Sequence, residues 1–205
     1  AHAVMQLNAE DGGKRKYICV QLPEQTPEES EARKAGYSTI CEIGKERIRR
    51  AGKKIKEESE GVDLDTGFRV LRVDTSNMEE VYFEPAALQQ DHLFGQVNSV
   101  KEDRNDLDLL FGCMVDWGVE LSHPLHQEEV AGKRLHIVND GALVACFEED
   151  IDLEVIRAIA KLEPLRVLFR ESCFASDADK LNIYEQFKQF CGWSAEESYR
   201  RIHVM

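Results

Sequence analysis

GYSTICEIGKERIRRAGKKIKEE, residues 36–58, reads as one amphipathic helix. Ile40, Ile43, Ile48, Ala51 and Ile55 recur at spacings near three and four and mark one apolar stripe. Against that stripe stand Lys45, Arg47, Arg49, Arg50, Lys53, Lys54 and Lys56. Residues 44–56 thus carry seven basic residues and one acid, inside a 205-residue chain whose formal net charge is −13. Two readings of this local reversal stay open. It is a solvated face laced with ion pairs, or it is an anion-facing surface, for which nucleic-acid phosphate is the natural partner.

Upstream of the helix, residues 1–8 form a short helical pattern with Ala3, Val4 and Leu7 available for one face. It stops at the turn signal Asp11-Gly12-Gly13. Residues 17–22, YICVQL, are a near-continuous apolar run with β-branched and aromatic members, bounded by a turn and by Pro23. Such a run predicts a strand buried on both faces, as in a parallel sheet. Glu24 follows directly. A carboxylate at the carboxyl end of a parallel strand accepts hydrogen bonds from ribose hydroxyls in nucleotide-type cofactor sites; the alternative is a surface acid before a loop. Residues 25–35 are polar, a loop or a short exposed helix. Helix, strand, loop, helix is the grammar of an α/β sheet. With no strand ahead of the first helix, the domain is expected to be truncated at its front.

Downstream the composition changes. Residues 60–67 are turn-rich and predict a domain junction. Residues 68–74, FRVLRVD, predict a strand, which residues 81–83 extend or reverse. Residues 85–94 suit a helix, and DLDLLFGCMVDW, residues 106–117, a firmer one, with Leu107, Leu110, Phe111, Met114 and Val115 inward and Gly118 as its stop. Residues 134–138 and 142–147 flank Asn139-Asp140-Gly141 and predict a β-hairpin. A helix over residues 152–162 follows, with Leu153, Ile156, Ile159 and Ala160 inward. It ends at Pro164, and residues 165–170 form a strand. Ser176 or Asp177 caps a last main helix, whose apolar side carries Leu181, Ile183, Tyr184 and Phe187 and which Gly192 closes. Residues 193–205 read as a frayed helix or tail.

Composition excludes several classes. No apolar run approaches the roughly 20 residues that span a bilayer, and the N-terminal stretch lacks the basic and apolar regions of a signal peptide. The first residue is Ala1 rather than Met, so a trimmed product or a piece of something longer is expected. The six cysteines, Cys19, Cys41, Cys113, Cys146, Cys173 and Cys191, include no CxxC pair and read as reduced structural residues. His123, His126, Glu128 and Glu129 lie close together, but Pro124 breaks a helix that would fix their spacing. They read as a polar loop or edge segment rather than a metal site. Ser172, Cys173 and Ser176 stand in no nucleophile motif.

AHAVMQLNAEDGGKRKYICVQLPE with KAGYSTICEIGKERIRRAGKKIKEE resembles the modification (Mod) subunit of Type III restriction–modification systems. The resemblance extends through LDTGFRVLRVDTSNMEEVYFEP, AGKRLHIV, ALVACFEEDI and EPLRVLFRESCFASDADKLNIYEQFKQF, and is weakest at residues 89–105 and after Gly192. These subunits are DNA adenine-N6 methyltransferases using S-adenosylmethionine. In them a catalytic Asp-Pro-Pro-Tyr-type motif comes first, then target recognition, then a Gly-rich cofactor loop that directly precedes a helix like AHAVMQLN. Neither motif is present here. The resemblance therefore implies the C-terminal portion of such a subunit: an α/β chain in which a truncated piece of a Rossmann-like methyltransferase sheet (residues 1–60) precedes an α+β C-terminal domain (61–205). It implies that Glu24 binds the cofactor ribose, with Ala1 and His2 at the helix N-terminus facing the cofactor. Arg49, Arg50, Lys53 and Lys54 are the candidate DNA-phosphate contacts. The second domain is expected to join two Mod subunits, with a restriction (Res) subunit as a further candidate partner, in a bacterial cytoplasmic enzyme. The alternative is a non-catalytic dimerisation or assembly module.

Overall fold

A computed structural model describes residues 1–59, 61–79 and 100–205. The chain divides into two compact units, Ala1–Val73 and Asp74–Met205, later than the junction expected near residue 60. The expected strand at 81–83 and helix at 85–94 lie outside the described residues.

The first unit is helical. α1, His2–Asp11, ends at Gly12, whose φ of 69° is the left-handed turn that Gly adopts without strain. α2, Glu31–Lys34, is a single turn capped by Ser30. α3, Ile40–Glu58, is the basic amphipathic helix. Thr39 and Glu42 form a reciprocal capping box at its start. Ala51, Gly52 and Ile55 are buried, and Ala51, Ile55, Met5 and Leu64 make a small core, with Ile48 and Tyr17 packed against it. α1 turns Met5 and Asn8 inward rather than Ala3 and Leu7, which are exposed. Asn8 accepts from the Arg15 N–H at 3.1 Å and donates to its carbonyl at 2.9 Å, fixing the turn after α1.

Neither predicted strand of this region forms a ladder. Residues 17–22 pair with no strand, and Ile18 and Val20 are 93% and 92% exposed. Residues 68–74 likewise belong to no strand of the described chain, and Val73 is fully exposed. The side chains are those of strands, but a strand exists only with a neighbour to bond, and the described residues supply none.

The second unit is a mixed α/β sandwich around a five-stranded sheet of order β1-β2-β3-β4-β5. The strands are β1 Leu125–Val130, β2 Lys133–Val138, β3 Leu143–Cys146, β4 Val167–Phe169 and β5 Ile202–Val204. β1, β2 and β3 run antiparallel in succession, while β3, β4 and β5 are parallel. The helices are α4 Asp106–Asp116, α5 Leu153–Lys161, α6 Asp177–Cys191 and α7 Ala195–Arg201. Alternation along the strands splits the core in two. Leu135, Ile137, Val144, Cys146, Val167 and Phe169 meet α5 and α6 on one face. Val138, Leu143, Ala145 and Leu168 meet α4 on the other.

The predicted hairpin is present: Leu135 pairs with Cys146 and Val138 with Leu143. Asn139, Asp140 and Gly141 all have positive φ, and Gly141 is required, because a Cβ there would meet the Leu162 carbonyl at 2.9 Å. The segment containing His126, Glu128 and Glu129 is the edge strand β1, joined to β2 by the left-handed pair Ala131-Gly132. α4 is capped by Asn105 and Asp108, but its buried face is Leu109, Leu110, Cys113 and Met114; Leu107 and Val115 are exposed. α5 is capped by Asp152, with Val155, Ile156, Ile159 and Ala160 inward and Leu153 exposed. Glu163, at φ 47°, turns the chain before Pro164. α6 starts at the Ser176 cap and ends at Gly192, φ 68°. Residues 193–205 are not a frayed tail. Trp193 stacks on Phe187 at 5.5 Å, Ser194 and Glu197 cap α7, and β5 completes the sheet. A three-residue strand with a polar helix before it carries too little pattern to be read without its neighbour.

Charge is divided unequally. Residues 1–73 hold 14 of the 26 Lys and Arg but only 13 of the 39 Asp and Glu, so the acidity belongs to the second unit.

Candidate functional site

The predicted site residues all lie in the first unit. Glu24 sits between residues 17–22 and α3. Its N–H donates to the Leu22 carbonyl at 2.9 Å, and its carbonyl accepts from the Ile40 N–H at 3.0 Å. Gln25 forms a bridge with Thr39, the N-cap of α3. Backbone contacts thus hold Glu24 at the start of α3 while the residue stays exposed. Ala1 is the N-cap of α1; its carbonyl accepts from Met5 at 3.0 Å, and no side chain caps that end. His2 is exposed in the first turn. A helix N-terminus without a side-chain cap presents backbone N–H groups and the positive end of the dipole to an acceptor.

On α3 each of the four chosen cations has a carboxylate one turn away. Glu46 accepts from Arg50 Nε at 2.7 Å and lies 3.7 Å from Arg49; Lys53 reaches Glu57 at 3.9 Å and Lys54 reaches Glu58 at 3.6 Å. Arg50 also donates to the Tyr37 hydroxyl at 3.3 Å, and Arg49 lies 5.7 Å from the Phe68 ring centroid. The Glu46 hydrogen bond leads the causes that raise the Arg50 pKa. The ion-pair reading of this face therefore holds for these four cations. It leaves the phosphate reading open, because exposed pairs are worth only about 0–1 kcal/mol each and exchange readily. Lys45, Arg47 and Lys56 make no ion pair within 4 Å among the described residues.

His136 is one of the buried polar residues that sequence reasoning passed over. It is 1% exposed on β2, within the hairpin pattern RLHIV that reads simply as strand. Nδ1 lies 3.2 Å from the Gln127 amide nitrogen and Nε2 lies 3.4 Å from Asp106. With the amide donating to Nδ1, Nε2 is left to donate to the carboxylate. Both ring nitrogens are used in tying α4 and β1 to β2, and the arrangement is a structural one.

The cysteines are all free thiols. Burial pushes Cys113 and Cys146 up to about 11 and Cys173 up to about 12, so they stay protonated and poorly nucleophilic. Cys173 Sγ donates to the Cys146 carbonyl at 3.4 Å. Cys19, expected inside a strand, is exposed. Among the described residues no three His, Cys, Asp or Glu are placed to hold a metal. No described helix is long and apolar enough to cross a membrane.

The fold and placement define a helical segment with an acidic residue at its turn, followed by an acidic α/β sandwich. No protein-family profile matches the chain. Individual relatives do, and all three are Mod subunits of Type III restriction–modification enzymes. The EcoP15I Mod subunit of Escherichia coli is 28% identical over 197 residues, 93% of this chain and 28% of that protein. The EcoPI Mod subunit of Escherichia phage P1 is 30% identical over 139 residues, 68% of this chain and 21% of that protein. The StyLTI Mod subunit of Salmonella typhimurium is 42% identical over 79 residues, 38% of this chain and 12% of that protein. The chain is similar to Mod subunits along nearly its whole length, and it spans less than a third of any of these relatives.

Proposed function

We propose that this chain is the C-terminal portion of a Mod-type DNA adenine-N6 methyltransferase that uses S-adenosylmethionine. The observation that carries the reading is the match to the EcoP15I Mod subunit over 93% of the chain. Residues 1–60 supply a fragment of the Rossmann-like cofactor sheet: α1, the strand-patterned residues 17–22 with Glu24 after them, and α3. Glu24 accepts the ribose hydroxyls, and the N-terminus of α1 at Ala1 and His2 faces the cofactor. Arg49, Arg50, Lys53 and Lys54 exchange their carboxylate partners for DNA phosphates. The second unit joins two Mod subunits, and a Res subunit completes the restriction enzyme. Its acidity makes it a poor nucleic-acid surface and suits it to protein contacts.

The chain alone, without the catalytic and Gly-rich motifs, transfers no methyl group. Tritiated methyl transfer to adenine in duplex DNA tests this. The intact Mod-type protein labels DNA and the isolated 205-residue chain does not. Methyl incorporation by the isolated chain would overturn the proposal. The alternative is an assembly module without a part in methyl transfer. It draws on the exposed Leu181 and Tyr199 of α6 and α7, at 60% and 65% exposure. A dimer of the isolated chain indifferent to S-adenosylmethionine would favour it.

A further inference from the structure

Among residues 9–50, Thr26 is the only one buried, at 5% exposure, and it stands two places after Glu24. Both of its donors are used. The N–H donates to the Ser38 carbonyl at 3.0 Å, and the hydroxyl donates to the Tyr37 carbonyl at 2.7 Å. On the other side of Gln25, the Glu24 carbonyl accepts from Ile40, and Gln25 itself bridges Thr39 antiparallel. Residues 24–26 and 38–40 therefore run side by side and close residues 24–39 into a loop that contains α2. Arg33, on α2, reaches back to the same neck: Nη1 donates to the Ser38 carbonyl at 3.0 Å and to Gln25 Oε1 at 3.3 Å.

The far side of the neck is firm. Thr39 caps α3, and Glu42 accepts from the Ser38 N–H at 2.6 Å and the Ser38 hydroxyl at 2.8 Å. Glu24 is thus tied to the start of α3 through the neck, and its exposed side chain takes its direction from the backbone held there. Two backbone bonds alone make a bridge that frays readily. The Thr26 hydroxyl adds a buried bond that valine, of the same shape, would leave unmade, with the Tyr37 carbonyl as its lost partner. A carboxylate that accepts two hydroxyls of one ribose must be aimed closely, and such aim comes from the residues that support it.

We propose that Thr26 is a positioning residue of the cofactor site. Its hydroxyl, held on the Tyr37 carbonyl, closes the neck of the 24–39 loop and so fixes the direction in which Glu24 presents its carboxylate to the ribose of S-adenosylmethionine. The inference rests on the ribose-binding reading of Glu24 and deepens it by naming what aims that carboxylate.

The test uses an intact Mod-type protein carrying this chain: the parent, Glu24→Ala, Thr26→Val, Thr26→Ser, and Glu24→Ala combined with Thr26→Val. Calorimetric titration gives the Kd for S-adenosylmethionine, and steady-state methyl transfer to DNA gives KM and kcat. Thr26→Val raises Kd and KM by about 3- to 10-fold and leaves kcat unchanged, because the ribose is remote from the transferred methyl. Thr26→Ser keeps the hydroxyl and stays within about twofold of the parent. In the Glu24→Ala background, Thr26→Val changes Kd by less than about twofold, since the two residues act as one unit. Unchanged affinity in Thr26→Val, or the same loss with and without the Glu24 carboxylate, overturns the inference and spares the ribose reading. Unchanged affinity in Glu24→Ala removes both. Should Thr26→Val fail to fold, Arg33→Ala opens the same neck from a partly exposed side chain. It too weakens binding only while Glu24 is present, and a loss independent of Glu24 overturns the proposal.

Discussion

α3 contains two glycines with opposite surroundings, and replacing each by alanine separates helix propensity from packing. At Gly44 an added Cβ meets nothing within 4 Å. Gly44→Ala should therefore gain the ordinary advantage of Ala over Gly in a helix, about 1 kcal/mol. At Gly52 the same Cβ would lie 2.9 Å from Thr66 Cβ and 3.3 Å from its Cγ2. The gain of about 1 kcal/mol is set against overpacking of about 1–3 kcal/mol. Thr66 Cβ is anchored to the backbone, so relief requires the chain itself to move. Gly52→Ala is thus neutral to destabilising by about 2 kcal/mol, and the two variants differ by about 1–3 kcal/mol. For a unit of this size, 1 kcal/mol corresponds to about 4–8 °C in midpoint. Urea and thermal unfolding followed by far-UV circular dichroism read the difference. Adding Thr66→Gly to Gly52→Ala should recover part of the loss. Equal stabilisation by both single variants would refute the packing of Thr66 against α3.

In the second unit, Phe187→Ala removes a fully buried ring that stacks on Trp193 and approaches Phe169 at 6.4 Å. It should cost about 3–5 kcal/mol. Both tryptophans, Trp117 and Trp193, lie in this unit, so fluorescence unfolding checks it directly. Native thiol labelling at neutral pH should modify Cys19 and Cys41, and leave Cys113, Cys146 and Cys173 untouched until the chain unfolds. The buried thiols ionise later in the folded state than in the unfolded chain, which therefore binds fewer protons above its ordinary thiol pKa. The stability they contribute is complete below about pH 9 and is lost as pH rises through 11 to 12. The loss is about 1.4 kcal/mol per pH unit per thiol in that window, and urea midpoints at pH 8 and pH 10.5 measure it. Reversing the charges of Arg49, Arg50, Lys53 and Lys54 in an intact Mod-type protein should lower the slope of log K against log salt for DNA, by about 0.9 for each phosphate no longer neutralised. An unchanged slope would remove these residues from the DNA surface.

What the sequence revealed followed from how local each signal is. Caps and stops were legible because they depend on a few adjacent residues: Ser176 and Gly192 bracket α6, and Asp140-Gly141 turns the hairpin. The hairpin followed from its turn alone, because its strands are buried on both faces and divide their residues between two cores. Helix phase was less secure. In α4 residues 109–115 are apolar apart from Gly112, so no stripe stands out, and Cys113 and Leu109 take the buried places expected for Leu107 and Val115. β5 was missed as a strand and β1 was left between a polar loop and an edge segment, because edge positions tolerate polar residues; the four central residues of LHQEEV are exposed. Residues 17–22 and 68–74 show the converse, a strand pattern that the described chain leaves without a ladder. For the candidate site, the basic face of α3 was visible in composition, but its pairing with Glu46, Glu57 and Glu58 depends on helical spacing to acids partly beyond the basic run. His136 gave no signal, because a histidine within an apolar strand looks the same whether it faces solvent or core.

Glu24, as the ribose-binding carboxylate of a Mod-type methyltransferase, is the residue on which the proposed function depends most. Calorimetric titration of S-adenosylmethionine into an intact Mod-type protein carrying this chain, as the parent and as Glu24→Ala, measures that role directly. Loss of charge-assisted hydrogen bonds worth about 1.5–3 kcal/mol predicts a Kd about 10- to 150-fold weaker. Retained folding, checked by the tryptophan fluorescence of the second unit, accompanies the loss. Equal affinity in the two proteins would take Glu24 out of the cofactor site, and the acid after residues 17–22 would then be only a surface residue at the start of α3.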